Sequence, residues 1–277
     1  MGRKFGRKVI LQLGENSYED FKITFDIRKT LSGEPNTGQF KIHNLSWETV
    51  GNLLVDYRNL RVRLLAGYDN IPALLFEGNI IRNGLKVTKD ATERIVEIEA
   101  QTGIRAYQSA RVNVSFEKDT TYRTVLREVA RQLGYPQTVI VDSPGLDKRI
   151  QSGLCLSGKA SKVLDDLAET VGQYWTIRDE NTIQFVPEEG GTLPERGPRF
   201  SRELNNIINS PEPTDVGVQL TTFLTPIEPG ERFVIDRTED SRLAGNFRAE
   251  SVQYTGDTGF ETQFYSSIEG RRLQVET

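Results

Sequence analysis

The feature that most constrains this chain is a change of hydrophobic period in its middle. Apolar residues recur at helical spacing between residues 112 and 187 and alternate on either side. From Asp119 to Leu133, the residues Tyr122, Val125, Leu126, Val129, Ala130 and Leu133 share one helical face. Asp119 and Thr120 are the candidate caps, and Gly134 with Pro136 forms the stop. A second helix is predicted over Ala160 to Val171 from Val163, Leu164, Leu167, Ala168 and Val171, with Gly172 as its left-handed cap. The period then falls to two. Trp175 and Ile177 alternate with polar neighbours, Asp179 to Asn181 turn the chain, and Ile183 and Phe185 alternate on the return. A hairpin packed on two amphipathic helices makes a small α/β module, assigned to residues 111–187.

The flanks read as β. Phe21, Ile23, Phe25 and Ile27 alternate with Lys22, Thr24, Asp26 and Arg28, the cleanest half-buried strand in the sequence. Gly33, Pro35, Asn36 and Gly38 turn the chain into a partner strand over Gln39 to Asn44, where His43 is an ordinary strand residue. With strands near Lys8 to Leu13, Val62 to Ala66, Leu74 to Ile81 and Ile95 to Ala100, residues 1–110 predict a closed or nearly closed antiparallel barrel. A short helix over Leu45 to Val55, capped by Ser46, would plug its end. Glu188 to Pro198, rich in Gly and Pro, reads as a surface linker. Residues 188–277 hold strands over Gly217 to Phe223, Arg232 to Asp236, Phe247 to Tyr254 and Phe260 to Ile268, a second and smaller β arm.

No constellation in the sequence carries catalysis. One cysteine, Cys155, and one histidine, His43, make neither a disulfide nor a zinc-binding spacing, so no metal is expected. Cys155, between Leu154 and Leu156, reads as a buried, inert thiol. Gly153 to Ala160 matches a phosphate-binding loop except at its last position, where Ala160 lacks the hydroxyl that holds Mg²⁺. Charged residues Lys148 and Arg149 stand where a buried strand should precede it, so the run is expected to be a turn before a helix, with no cofactor. The acidic pairs Glu19 with Asp20, Asp165 with Asp166, Glu188 with Glu189 and Glu239 with Asp240 are sequence neighbours, which point apart rather than across a cleft. They are expected on solvated faces. Arg3, Lys4, Arg7 and Lys8 form the one basic cluster, read as a solvated, poorly ordered terminus. A net charge of −4 argues against a surface that grips nucleic acid as a whole. No apolar run reaches the roughly 18 residues of a membrane span and no export signal is recognisable, which predicts synthesis in the cytoplasm.

The succession of features resembles a known family. "FKITFDIRKTLSGEPNTGQFKIHNLS" from Phe21 to Ser46, "VRLLAGYDNIPALLFEGNI" from Val62 to Ile80, the helical "TTYRTVLREVARQLG" and the later "LTPIEPGERFVI" are similar to the baseplate hub proteins of contractile-tailed bacteriophages. Relatives of that family include the N-terminal hub part of type VI secretion spike proteins. The resemblance implies an α+β, mainly β chain with two tube-type antiparallel β-barrel domains, 1–110 and 188–277, around the inserted module. It implies a homotrimer that adapts a hexameric tail tube protein to a trimeric central spike protein in the virion, beside other baseplate components. DNA would pass through its channel without specific binding. At 277 residues there is no segment for a lysozyme domain or a β-helical needle, which are expected on separate partners. A distal tail or wedge protein is the alternative within the same machine. Outside it stand a barrel protein that binds single-stranded nucleic acid, which would want aromatics in a basic groove, and a tail-associated hydrolase.

Overall fold

Alternating runs become strands where the sequence places them, and the arms differ from expectation in how those strands join. The structure is a computed structural model that describes residues 6–55, 57, 60–68, 71–90, 93–179, 181–193, 196–236, 241–259 and 263–273. The first arm contains β1 (Lys8–Leu13), β2 (Asn16–Tyr18), β3 (Ile23–Thr30), β4 (Thr37–His43), α1 (Trp47–Val55), β5 (Arg61–Gly67), β6 (Ala73–Asp90) and β7 (Glu93–Gln101). The middle contains α2 (Ile104–Gln108), β8 (Arg111–Phe116), α3 (Tyr122–Gln132), β9 (Gln137–Ile140), β10 (Leu154–Lys159), α4 (Ala160–Val171), β11 (Gln173–Ile177) and β12 (Thr182–Pro187). The last third adds β13 (Arg196–Phe200), β14 (Glu212–Pro213), β15 (Gly217–Phe223), β16 (Arg232–Ile235), β17 (Gly245–Asp257) and β18 (Phe264–Arg272).

Neither the barrel that strand spacing predicts over residues 1–110 nor the second barrel that the family resemblance implies over 188–277 is formed among the described residues. Among the described residues, strands of both arms form one open sheet of thirteen, in the order β14-β15-β18-β17-β3-β4-β7-β6-β5-β1-β2, with β16 and β13 branching from β17. The reason lies at β3. A closed first arm would pair its outer edge with β1 or β2, but that edge is hydrogen-bonded to β17 from Thr30↔Ser251 to Thr24↔Asp257. On β1, the edge away from β5 meets only the three-residue β2. Closure needs strand tilt and stagger that bring both ends together, and here the second arm takes the end first. The arms consequently share one core, in which Phe25 meets Phe264 edge-on at 6.0 Å and Phe40 packs on Phe76 at 5.5 Å. Gly256 lies opposite Phe25 in the seam; a Cβ there would stand 2.2 Å from the Phe25 ring, so only glycine lets the strands close.

Helix α1 is therefore not a barrel plug. Ser46 caps it as expected, its Oγ accepting from the Thr49 N–H at 3.0 Å, and Val50 and Leu53 bury one face against the sheet core. Trp47, Leu54 and Val55 face outward.

Residues 111–187 form two small sheets and two helices. Helix α4 spans Ala160–Val171 and ends on Gly172 at φ 66°, as its sequence requires. Helix α3 is capped one residue later than expected, by Thr121, whose Oγ1 accepts from Thr124 N–H at 3.4 Å, because Asp119 sits left-handed in the preceding turn. Val125, Leu126, Leu164, Leu167, Trp175 and Phe185 make this region's own core. Each such side chain fully buried contributes about 1.5–3 kcal/mol. The hairpin β11–β12 pairs in the expected register, Trp175↔Phe185, and gains β9 as a parallel neighbour.

Buried polar contacts tie this region to the sheet. Asn36 Nδ2 donates to the Ile177 carbonyl at 3.1 Å, and Gln184 Nε2 to that of Pro229 at 3.0 Å. Lys29 pairs with Glu228 at 2.6 Å, joining the arms through a lysine that is 3% exposed. The expected surface linker begins as a tethered strap. Arg248, wholly buried, sends Nη1 to the carbonyls of Pro187 (2.6 Å), Gly190 (2.9 Å) and Gly191 (3.1 Å), and Nη2 to that of Glu188 (3.1 Å). Its Nε and Nη2 also hold Glu250 at 2.8 and 2.7 Å.

Candidate interaction face

Residues that sequence reading singled out for chemistry do not converge. Gly153 to Ala160 is neither a phosphate cradle nor a turn: Leu154–Lys159 within it is strand β10, paired to β8 from Leu154↔Phe116 to Lys159↔Arg111, and Ala160 opens α4. Its backbone is engaged in that ladder rather than wrapped around an anion, and Lys159 stands exposed at the N-cap of α4. Cys155 is exposed rather than buried, 3.5 Å from Ser115 Oγ, because the two-stranded sheet β8–β10 turns that side outward. His43 is a strand residue whose Nδ1 lies 2.9 Å from Glu93. Asp165 and Asp166 are both exposed, and Asp165 also accepts from Trp175 Nε1 at 2.8 Å; Glu239 and Asp240 lie outside the described residues. So do Arg3 and Lys4 of the basic cluster. Arg7 of that cluster sits over the Phe264 ring at 5.1 Å and Lys8 pairs with Glu19 at 3.3 Å, so these two are engaged.

What the fold does build is a surface. Strands β15, β18, β17, β3, β4, β7 and β6 lie side by side, and their alternation sends every second residue to the same exposed side. Cross-strand register aligns these residues in rows. One runs Phe223, Tyr265, Thr255, Asp26, Gln39, Glu99; the next runs Thr221, Ser267, Gln253, Arg28, Thr37, Gln101. A third carries Thr24, Lys41, Glu97 and Lys86. The intervening positions, such as Phe25, Phe40, Ile98 and Ile268, are buried in the common core.

The charges of this face are locally neutralised. Lys41 reaches Glu97 at 2.8 Å, Lys86 reaches Glu99 at 3.4 Å, and Gln253 Nε2 donates to both Asp26 oxygens at 3.1 and 2.8 Å. Ser251 Oγ donates to Glu269 at 3.2 Å. Carboxylates Asp26, Glu97, Glu99 and Glu269 stand against cations Arg28, Lys41, Lys86 and, at the end of β18, Arg271, a near balance on a face otherwise made largely of Ser, Thr and Gln with the half-buried rings of Phe223 and Tyr265 at one edge. Away from Phe223 and Tyr265 such a surface offers no apolar anchor, and its paired charges make no cationic track. It is suited to face water without gripping a polyanion. Sequence alternation marks each strand as half-exposed, but nothing local says that strands more than 200 residues apart continue one another's rows.

No protein-family model matches the sequence. No curated protein matches it either. Solved structures do. A tail protein from Neisseria meningitidis MC58 superposes with a TM-score of 0.67 at 10% identity, covering 97% of each chain. The 43 kDa tail protein of prophage MuSo2 from Shewanella oneidensis gives 0.67 at 9% identity over 96% of this chain and 98% of that one. This chain has a phage tail-protein fold. The tail-protein fold extends to the E. coli c3393 protein, a type VI secretion component described as structurally similar to T4 tail proteins gp27 and gp5, at a TM-score of 0.60 and 11% identity over 96% of this chain and 77% of that one. The resemblance drawn from the sequence therefore holds as one of fold. Coverage of nearly the whole chain includes the open sheet and the region between its halves.

Proposed function

We propose that this chain is a structural, non-enzymatic component of a phage tail baseplate. In this reading it is a hub in which three copies surround the tail axis. The observation that carries it is the seven-strand polar face. One copy presents a continuous water-facing wall drawn from both halves of the chain, and three such walls around an axis would line a channel with six quasi-equivalent segments. Those segments suit a hexameric tail tube protein on one side and a trimeric central spike protein on the other, and the near-neutral lining lets DNA pass without being held. Residues 111–187 act as a module on the outer side, where the exposed charges of α3 meet other baseplate components; its division from 1–110 and 188–277 belongs to the same proposal. Cyclic contacts would also cover sheet ends that one copy leaves open.

The test is native mass spectrometry of the purified chain, alone and co-expressed with its spike, followed by capture of the tail tube protein. A trimer that binds the tube supports the hub. A monomer under both conditions that ignores the tube refutes it. The likeness to c3393 favours a second reading, the hub part of a type VI secretion spike, and a secretion-system tube captured in place of a phage tube would select it.

A further inference from the structure

A hollow of about 830 Å³ lies beside the strap at residues 189–192, where the polar side of β18 ends. Its floor is the end of β16–β17–β18. Arg232, Asn246, Arg271 and Arg272 line it together with Val216 and Leu273. Three guanidinium groups against one carboxylate, Glu189 on the strap, thus line one groove of a protein whose net charge is −4.

Their partners leave this charge largely uncompensated. Arg232 gives Nε and Nη2 to a single amide oxygen, Asn246 Oδ1, at 3.2 and 2.7 Å. Arg272 donates to the backbone carbonyls of Ala244 and Arg242 and lies 4.8 Å over the Phe247 ring. These partners are dipoles or a ring face and carry no negative charge. Arg271 has its Nε 3.3 Å from Glu250 Oε1, yet that buried nitrogen makes no aligned hydrogen bond, because the same oxygen already accepts twice from Arg248. Glu250 is therefore shared by two arginines. Guanidinium groups held by neutral partners keep unused donors in fixed planes, the geometry that receives carboxylates in pairs.

We propose that this groove binds an extended acidic peptide segment of a partner protein. Carboxylates are received by Arg232 and Arg271, and apolar side chains of the segment lie on Val216 and Leu273. Among the described residues the groove lining carries no aromatic side chain on which a base would stack, which favours a peptide over single-stranded nucleic acid. Between Glu189 and Thr192 the strap wall has Gly190 and Gly191 adjacent, where it presents backbone without side-chain bulk to such a segment. The inference does not depend on a ring or on the hub reading.

The experiment uses the full chain and fluorescence anisotropy with three labelled probes: a peptide of alternating Glu and Val, its Lys and Val counterpart, and a ten-nucleotide oligo-dT. The Glu peptide is expected to bind saturably and to weaken with salt, and the Lys peptide to be ignored. Arg232→Gln and Arg271→Gln should each weaken binding about tenfold. Arg127→Gln, on the exposed face of α3, should leave it unchanged. Should either groove variant lose its fold by circular dichroism, Val216→Glu, at a position 47% exposed, supplies the same test by placing a carboxylate in the groove. No saturable binding of the Glu peptide up to about 1 mM, or equal weakening by Arg127→Gln, overturns the proposal. Tighter binding of oligo-dT that the same groove variants abolish overturns it in favour of a nucleic-acid site.

Discussion

Replacing Arg248 by Met tests whether the strap is held by one buried cation. The side chain is wholly buried, and its six described hydrogen bonds reach four backbone carbonyls and the Glu250 carboxylate. Methionine fills much of the same volume and satisfies none of them. Breaking a buried ion pair by removing one partner costs about 3–5 kcal/mol. An unpaired buried carbonyl adds about 1–3 kcal/mol. Relaxation limits the second contribution, because Gly190 and Gly191 are exposed and can turn their carbonyls to water, and Arg271 remains near Glu250. A loss of about 4 kcal/mol is expected, which for a chain of this size lowers Tm by about 10 °C. Arg248→Lys keeps the charge without the fork and should lose roughly half as much, about 2 kcal/mol. The assay is thermal unfolding by circular dichroism, with limited proteolysis to report cleavage between residues 187 and 193 in the folded protein. A Tm within about 2 °C of the parent, or a strap no more open to protease, would refute the assignment of Arg248 as its anchor. Arg248→Met combined with Glu250→Gln should recover part of the loss, since the carboxylate is removed with its buried partner and Arg271, one-third exposed, is left to solvent.

Alkaline pH provides a second test. Burial, reinforced by the nearby Glu228 carboxylate, holds the Tyr254 hydroxyl well above the ordinary tyrosine pKa. Burial also raises Tyr107. The unfolded chain releases these protons near pH 10 and the folded one retains them, so stability is complete below about pH 10 and falls as pH rises further. Tyr254→Phe should cost about 1–3 kcal/mol at pH 7, through its lost hydrogen bonds with Ile227, and show a shallower decline between pH 9 and 11 by thermal melts. An unchanged slope would refute the role of Tyr254. Lys159→Ala should leave stability within about 0.5 kcal/mol and reveal no nucleotide site by calorimetry, because Lys159 is an exposed residue ending a paired strand. Mg²⁺-dependent ATP binding that this substitution abolishes would overturn that reading.

Local structure was legible where one segment carries its own signal. Helix α4 has an uninterrupted apolar stripe and a glycine at its end, and its bounds follow from those alone. Strand β15 and the β11–β12 hairpin are equally self-contained. What the pattern could not convey is which edge meets which. Alternation in β3 and β17 states that each has a buried side, but their pairing depends on shape complementarity at Gly256 and Phe25 across more than 200 residues, so two closed units were expected where one open sheet exists. Arg248 shows the same limit. In its strand it falls between Phe247 and Ala249 and reads as an outward polar residue, and only the strap arriving from residues 187–191 buries it. Cys155 erred in the opposite sense, since flanking leucines suggested burial in a strand whose other side is open. The polar face itself was visible one strand at a time, and its extent required the order of the strands.

The seam between β3 and β17 also sets a timetable for synthesis. When β3 has left the ribosome, the strand that will cover its edge lies more than 200 residues downstream. At about 5–20 residues per second that interval lasts about 10–45 s. Throughout it the nascent chain displays an apolar strand with one row of N–H and C=O groups unsatisfied, the condition in which neighbouring chains on a polysome pair with each other. Asp26, Arg28 and Lys29 punctuate that strand with charge, and these residues make pairing with an identical copy costly until β17 arrives.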